Sequence, residues 1–328
     1  VGVGVLVAVL FCLGYGIEGG FDGMISALGS QDENLVGWLN VTDVLYHSWW
    51  AVFAVFLAHV PLGMLPHIGN KLWALKEPTQ RMQFIRLAFV FALILAMLGF
   101  GGIMARVILG EGIDSNQALA LLFIDLFPSW FAALLGVGIL AAVMSTADGL
   151  VVSSSQIVAN DLYRLSFVPR YRKDLSEEEI ERRSLNISRI STVAIMILCT
   201  LLAWQTLDMN VTILVWIGVG CMMAAFAGPL ILGSVWSGVT KAGAFTGLLT
   251  GGGVYIITYL GVINPEWFAP GSLKDIALWL QRESPNPYSC AAMGEIASIA
   301  VTVVVSKLTA PYPKEHIDAL FGKSVPTD

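Results

Sequence analysis

Four small or hydroxyl-bearing residues recur at helical spacing in a long apolar segment in the middle of the chain. Ala142, Ser145, Thr146 and Gly149 are three and four residues apart, so they share one stripe if the segment is a helix. The stripe presents two adjacent hydroxyls, and hard cations prefer oxygen ligands. The same pattern is more often found at a close helix–helix contact in a membrane. The spacing therefore predicts a cation site or a packing seam.

A carboxylate beside this stripe favours the cation hypothesis. Asp148 lies in the same apolar segment, and a charged side chain at the centre of a transmembrane helix costs about 2.5–3.5 kcal/mol on insertion scales. Such a residue usually faces a cavity or a partner. We therefore expect Asp148 to take part in binding an additional ion or in coupling.

The second apolar span is interrupted by prolines. Pro61 and Pro66 each remove a backbone N–H donor and free a carbonyl, and broken helices commonly line the substrate site of transporters. His59 is predicted to bind substrate or to be satisfied by a carbonyl of a neighbouring helix. The residues predicted to line a substrate cavity lie in this span and in the sixth: Phe53, His59, Leu62, Pro66 and Trp216.

Composition places the chain in a membrane. It is 56% hydrophobic and 13% charged, with a mean hydropathy of +0.74, and a soluble domain of this length would expose far more charge. A transmembrane helix needs about 20 apolar residues. Eight runs are suitable, near residues 1–17, 45–68, 86–109, 129–157, 188–206, 211–235, 243–262 and 289–308. The predicted fold class is an all-α polytopic membrane protein.

The basic residues predict the orientation. Fifteen of the 18 Lys and Arg fall in alternate connections and at the C-terminal end, whereas Arg106, Lys274 and Arg282 lie on the other side. Because cytoplasmic loops are enriched in Lys and Arg, the C-terminus and the 159–187 loop are predicted to be cytoplasmic, in a multi-pass protein of the plasma membrane.

Two local patterns predict further helices. The run 116–127 is too short to span a membrane and is stopped by Pro128, so we expect an outer surface helix. The stretch Ser176–Arg183 begins with a capping serine, followed by acidic residues and then by basic ones. This order suits the helix dipole and predicts a capped, exposed helix in the polar loop.

Several motifs resemble one family. The run Ala141–Thr146, closed by Asp161–Tyr163, resembles the sodium/solute symporter family. The resemblance implies that one Na+ is bound by the Ala142 carbonyl and by the Ser145 and Thr146 hydroxyls.

Where some family members hold another sodium with hydroxyls, this chain has Asp148 and Gly149. The remaining sodium ligands come from the first core helix of the family, and no segment of this chain matches it.

Other motifs are similar to the pantothenate-permease branch: Leu65–His67 and Leu230–Trp236. Proline carriers have aromatics four and eight residues before the corresponding proline, where this chain has Leu62 and Ala58. The resemblance implies sodium-coupled symport, by alternating access, of a small organic solute such as the carboxylate pantothenate.

The family fold is an inverted repeat of the leucine-transporter type. Because the chain starts at Val1 inside an apolar run, we expect one membrane domain that lacks its N-terminal helices. Residues 1–44 would be the last helix of the first repeat with an outer loop, 45–237 the second repeat, and 238–328 peripheral helices and a cytoplasmic tail.

Other function classes find less support. Membrane-depth residues contain no Ser/His/Asp constellation or metal-ligand cluster, so an enzyme is not predicted. Acidic residues of the polar loop cancel its basic ones, which excludes nucleic acid as a partner. The predicted partners are a small solute, sodium and the lipid bilayer; oligomeric state is left open. The alternative is a symporter-like membrane sensor domain of a signalling protein.

Overall fold

A computed structural model describes residues 17–41, 43–73, 75, 77–96, 98–313, 315, 317 and 318, and all regular structure in these ranges is helical. The predicted span 1–17 lies outside the described residues except for Ile17. The chain divides into two compact units, residues 1–31 with 70–210 and residues 32–69 with 211–328. The proposed boundaries of the inverted repeat stay a prediction.

The first unit is built from seven helices in its described part. They are α1 (Gly20–Gln31), α4 (Pro78–Ala96), α5 (Leu98–Leu109), α6 (Ala118–Leu126), α7 (Ser129–Gln156), α8 (Val168–Tyr171) and α9 (Glu177–Gln205). A π-helical segment, Ile157–Phe167, joins α7 to α8, so the chain is helical without a break over Ser129–Tyr171.

The core of the first unit forms where α1, α5, α6 and the start of α7 meet, around Met24, Met104, Phe123 and Leu135. The short outer helix predicted before Pro128 is present as α6. It ends because Phe127 is extended, the conformation favoured for a residue that precedes proline.

The helix that we predicted in the polar loop is the first part of a longer helix. Ser176 caps a helix, and its hydroxyl accepts a hydrogen bond from the Glu179 N–H at 3.3 Å, as expected. The helix does not end after Arg183, however, but continues as α9 to Gln205. The reason is that no glycine or proline lies between Glu177 and Gln205, so nothing interrupts the backbone hydrogen bonds.

The second unit contains the proline-broken span. Its described helices are α2 (Trp49–Ala58), α10 (Val211–Phe226), α11 (Gly233–Val235), α12 (Lys241–Tyr259), α13 (Ser272–Glu283) and α14 (Pro287–Leu308). Helix α3 (Pro66–Trp73) begins in this unit and ends beyond its boundary at Gly69. Between α2 and α3 the backbone is 3₁₀-helical over Val60–Met64 and extended at Leu65. The prolines therefore break this span, as predicted.

Helix α14 forms the centre of the second unit. It packs against α2, α10, α12 and the π-helical segment Ala227–Leu232. Its contact with α12 is very close, because a Cβ added to Gly247 would lie 1.9 Å from Thr302 Oγ1. Glycines at four-residue intervals on α12 thus receive the hydroxyl side chains of α14.

Length and composition allow five described helical stretches to cross a membrane: Thr79–Leu109, Ser129–Tyr171, Glu177–Gln205, Val211–Val235 and Pro287–Leu308. They coincide with five of the eight predicted spans. The predicted span 45–68 is represented by the shorter apolar stretch Trp49–Met64, and the predicted span 243–262 by α12. The chain is an all-α polytopic membrane protein.

Candidate functional site

The predicted sodium ligands lie on one turn of α7. Thr146 Oγ1 donates a hydrogen bond to the Ala142 carbonyl oxygen at 3.2 Å, so two of the three predicted ligand atoms are in contact. Ser145 precedes Thr146 in the same turn. Because the Thr146 hydroxyl donates to a carbonyl, its lone pairs remain free to accept from or coordinate another group.

No described part of the first unit covers this turn. Ala142, Ser145, Thr146 and Asp148 are all exposed, and a Cβ added to Gly149 would meet no atom within 4 Å. Within the described residues of the first unit, therefore, no helix packs against the small-residue stripe. Asp148 forms no ion pair within the same ranges.

In the described part of the first unit, helix α7 is packed towards its two ends. Leu135 lies in the core near the start of the helix, and Ser155 near its end accepts a hydrogen bond from Ser188 of α9 at 3.5 Å. Between them, Val143 and Met144 are more than 60% exposed. The turn that contains Ser145 and Thr146 thus lies in an exposed stretch of α7, and the helix is packed against other residues on either side of this stretch.

Two of the predicted substrate-cavity residues meet in an aromatic cluster of the second unit. The His59 ring lies 4.5 Å from the Trp216 ring and 6.0 Å from that of Tyr288, and the Trp216 and Tyr288 rings are 4.3 Å apart, between centroids. We call His59, Trp216 and Tyr288 the aromatic cluster. Leu62 packs against the buried core that contains Trp216 and Tyr288.

The hydrogen bonding of His59 differs from the predicted contact with a neighbouring helix, and binding of substrate stays a prediction. Its Nδ1 lies 2.6 Å from the Val55 carbonyl oxygen, an acceptor of its own helix rather than of a neighbour. Nδ1 therefore carries a proton, and in the neutral ring Nε2 is a hydrogen-bond acceptor. The ring is exposed, so Nε2 is accessible to a ligand.

The remaining predicted cavity residues lie elsewhere on these elements. Phe53 is exposed, and its ring is 6.2 Å from that of Trp50. Trp50 in turn donates from Nε1 to Ser289 Oγ at 2.6 Å. Pro66 is half-buried and begins α3.

Tyr288 is a member of the aromatic cluster that sequence reasoning missed. Asn286 caps α14, its side chain accepting hydrogen bonds from the N–H groups of Tyr288 and Ser289 at 3.0 and 3.2 Å. This cap fixes the first turn of the helix and with it the Tyr288 ring. The Asn286-Pro287 pair is a recognisable helix start, but nothing in the sequence links it to His59.

A buried pair of ionisable side chains was also missed. His47 Nε2 lies 2.9 Å from Glu283 Oε1, and the two residues are 7% and 1% exposed. His47 Nδ1 is 3.0 Å from the Val44 carbonyl oxygen. The pair ties the start of α2 to the end of α13, across 236 residues of sequence.

Comparison with known proteins is consistent with this architecture. The model of the sodium:solute symporter family matches residues 5–251. Over 249 aligned residues, the chain is 26% identical to a sodium/pantothenate symporter of Haemophilus influenzae. The aligned region covers 74% of this chain and 49% of that protein. The chain is 24% identical over 256 residues to a sodium/pantothenate symporter of Escherichia coli, covering 76% and 50%.

A sodium/proline symporter of Staphylococcus aureus is 29% identical over 173 residues, which is 52% of this chain and 30% of that protein. The chain spans about half the length of the pantothenate relatives it matches. No solved structure matches it. The family match covers three quarters of the chain, and the chain belongs to the sodium:solute symporter family.

Proposed function

We propose that this chain forms part of a carrier that moves a small organic solute across the plasma membrane together with sodium. Family membership and relatives named for sodium-coupled transport of pantothenate and proline support the activity. The carrier would work by alternating access, in which sodium favours the outward-open state because it binds that state with higher affinity.

The sodium site that we propose is the exposed turn of α7. The observation that carries it is the contact of the Ala142 carbonyl with the Thr146 hydroxyl, beside the Ser145 hydroxyl, on a helix long and apolar enough to span a membrane. Ser145 precedes Thr146 in this turn, and its hydroxyl would be a third uncharged oxygen ligand of the kind that a hard cation prefers. Asp148 lies within the next turn and would add a negative charge to the same region.

The solute that we propose is a small carboxylate of the pantothenate kind. Two relatives bear that name, and Leu62 and Ala58 stand where proline carriers have aromatics. The aromatic cluster offers an apolar wall, and the accessible His59 Nε2 offers one polar contact. A protonated imidazole at that place would pair with a carboxylate.

The experiment is uptake of radiolabelled pantothenate and, separately, of proline by proteoliposomes that contain the full-length protein, with and without a sodium gradient. Wild type is expected to take up pantothenate only with sodium. The double variant Ser145→Ala/Thr146→Ala is expected to need at least about tenfold more sodium for half-maximal uptake, because each lost 1.4 kcal/mol of binding is about a factor of ten.

A matched control exists on α9. Ser191 and Thr192 are another adjacent Ser-Thr pair of the first unit, and Thr192 Oγ1 donates to the Ser188 carbonyl at 2.9 Å, as Thr146 does to Ala142. Ser191→Ala/Thr192→Ala is expected to keep the wild-type sodium dependence. If both double variants behave alike, the α7 turn is not the sodium site.

A further inference from the structure

One buried carboxyl group in a membrane-spanning helix takes no part in the sites described above. Glu295 lies on α14 and is 1% exposed, and its Oε1 has no hydrogen-bond partner. It forms no ion pair in the described part of the chain. An isolated carboxylate in an apolar interior is so unfavourable that the group is expected to take up a proton instead.

Glu295 belongs to a buried polar line along α14. Tyr288 and Thr302 are seven residues before and after it, which places all three on the same face of the helix, about 10 Å apart along its axis. Tyr288 is part of the aromatic cluster, and Thr302 Oγ1 also lacks a partner. With Ser298 and Ser306, these groups run from the aromatic cluster nearly to the end of the helix.

No cationic partner accounts for the burial of this carboxyl. The two lysines of α12 and α14, Lys241 and Lys307, are exposed, and Lys307 is twelve residues from Glu295, about 18 Å along the helix. The other ionisable groups on or next to α14 and the elements packed against it include Tyr46, His47, His59, Cys221, Tyr255, Tyr259, Glu283, Tyr288 and Cys290. None of them forms an ion pair with Glu295 in the described ranges.

The surroundings suit a proton better than a metal ion. A hard metal cation needs several oxygen ligands, whereas the neighbours of Glu295 one turn away on its own helix are Ala291, Ala292, Ser298 and Ile299. The Ser298 hydroxyl is already engaged, because it accepts from the Gly228 N–H at 3.0 Å and donates to the Ala225 carbonyl at 3.4 Å. A proton needs only one carboxylate oxygen.

We propose that Glu295 is a proton-binding site of the carrier, protonated in the packed state and emptied and refilled during transport. The exchange rests on the proposed function, whereas binding of the proton does not. A carboxyl kept only for structure would donate a hydrogen bond, but in the described ranges neither oxygen of the Glu295 carboxyl forms one, and Oε1 is buried. The polar side chains from Tyr288 to Ser306 can hydrogen-bond to water molecules that enter when the helices move apart.

Infrared spectroscopy of the full-length protein tests whether the proton is bound. At neutral pH, where a solvated glutamate is ionised, wild type is expected to show a carbonyl stretching band of a protonated carboxylic acid that disappears in Glu295→Gln. Glu266→Gln removes an exposed carboxyl from the 3₁₀ turn before α13 and is expected to keep the band. A wild-type spectrum without a Glu295-dependent band overturns the proposal.

Proton release tests the exchange. Sodium chloride with pantothenate is added to the protein in weak buffer with a pH-sensitive dye, and wild type and Glu266→Gln are expected to give a signal that Glu295→Gln loses. A signal that persists in Glu295→Gln, or a silent wild type that still shows sodium-dependent uptake, overturns the exchange. Absence of sodium-dependent uptake in wild type would instead refute the proposed function, and the infrared band would still decide whether Glu295 holds a proton.

Discussion

The pair formed by His47 and Glu283 shares one proton between two acceptors. Nδ1 of His47 faces the Val44 carbonyl and must donate to it, and Nε2 faces a carboxyl oxygen at 2.9 Å. That second contact requires a proton either on Nε2 or on Glu283. The other carboxyl oxygen, Glu283 Oε2, is buried without a partner, so among the described residues His47 is the one side chain that hydrogen-bonds to this carboxyl.

His47→Ala is therefore expected to destabilise the protein strongly. Removing one member of a buried pair leaves the other uncompensated, which costs about 3–5 kcal/mol. The double variant His47→Ala/Glu283→Gln is expected to be less destabilised than His47→Ala alone, because no buried charge remains. Thermal unfolding in detergent measures both.

The exposed ion pair of Arg106 and Glu111 gives the control. The side chains are 34% and 66% exposed, although their atoms are 2.7 Å apart. Glu111→Gln is expected to change stability by less than about 1 kcal/mol, as is usual for surface pairs. An equal loss of stability in Glu111→Gln and His47→Ala would mean that burial is not the source of the effect.

At the residue scale, the sequence predicts geometry between residues that are close along the chain, whereas the sodium site itself stays a prediction. The contact of Thr146 with Ala142 follows from helical spacing alone. His47 and Glu283, or His59 and Tyr288, are separated by more than 200 residues, and no local pattern indicates that they meet. Glu295 was visible as a carboxyl in an apolar run, but its complete burial depends on helices packed around it.

At the scale of elements, prolines and glycines carried most of the information. Pro61 and Pro66 predicted a break that the structure has, with a 3₁₀ turn and an extended residue between two helices. Pro229 lacks an N–H, so the Ala225 carbonyl loses its usual helical donor. The Ser298 hydroxyl replaces that donor. The replacement comes from another helix and was beyond prediction from sequence.

The glycines of α12 allow a direct test of helix packing. A Cβ at position 247 would lie 1.9 Å from Thr302 Oγ1 and 3.0 Å from the Ser298 carbonyl oxygen. Gly247→Ala is therefore expected to push α12 and α14 apart and to destabilise the protein by about 1–3 kcal/mol. The unfolding midpoint in detergent reports the change.

Gly253 on the same helix is the matched control, because a Cβ there would meet no atom within 4 Å. Gly253→Ala is expected to raise stability by up to about 1 kcal/mol, since alanine favours the helix over glycine. Similar effects at the two positions would indicate that helix propensity, not close packing, decides the response.

At the scale of the whole molecule, composition was enough to assign an all-α membrane protein, and spans were predicted well where apolar runs are uninterrupted. The polar stretch Ser176–Arg183 was predicted as a helix within the loop, and it is the cap and first part of α9. A change in hydropathy along the sequence marks where a helix leaves the apolar layer of the membrane. The backbone hydrogen bonds of the helix can continue beyond that point. For this reason, helix lengths were harder to predict than helix positions.

Orientation is the property of the whole molecule that the basic residues predict. Moving positive charge across the bilayer during insertion is unfavourable, so the loops rich in Lys and Arg stay in the cytoplasm. Arg170, in the 159–187 loop, and Asp275, in α13, are exposed residues from the two predicted sides. In a cysteine-free background, a membrane-impermeant maleimide applied to intact cells is expected to label Asp275→Cys and to leave Arg170→Cys unlabelled. After permeabilisation both should react. Labelling of Arg170→Cys in intact cells would contradict the predicted orientation.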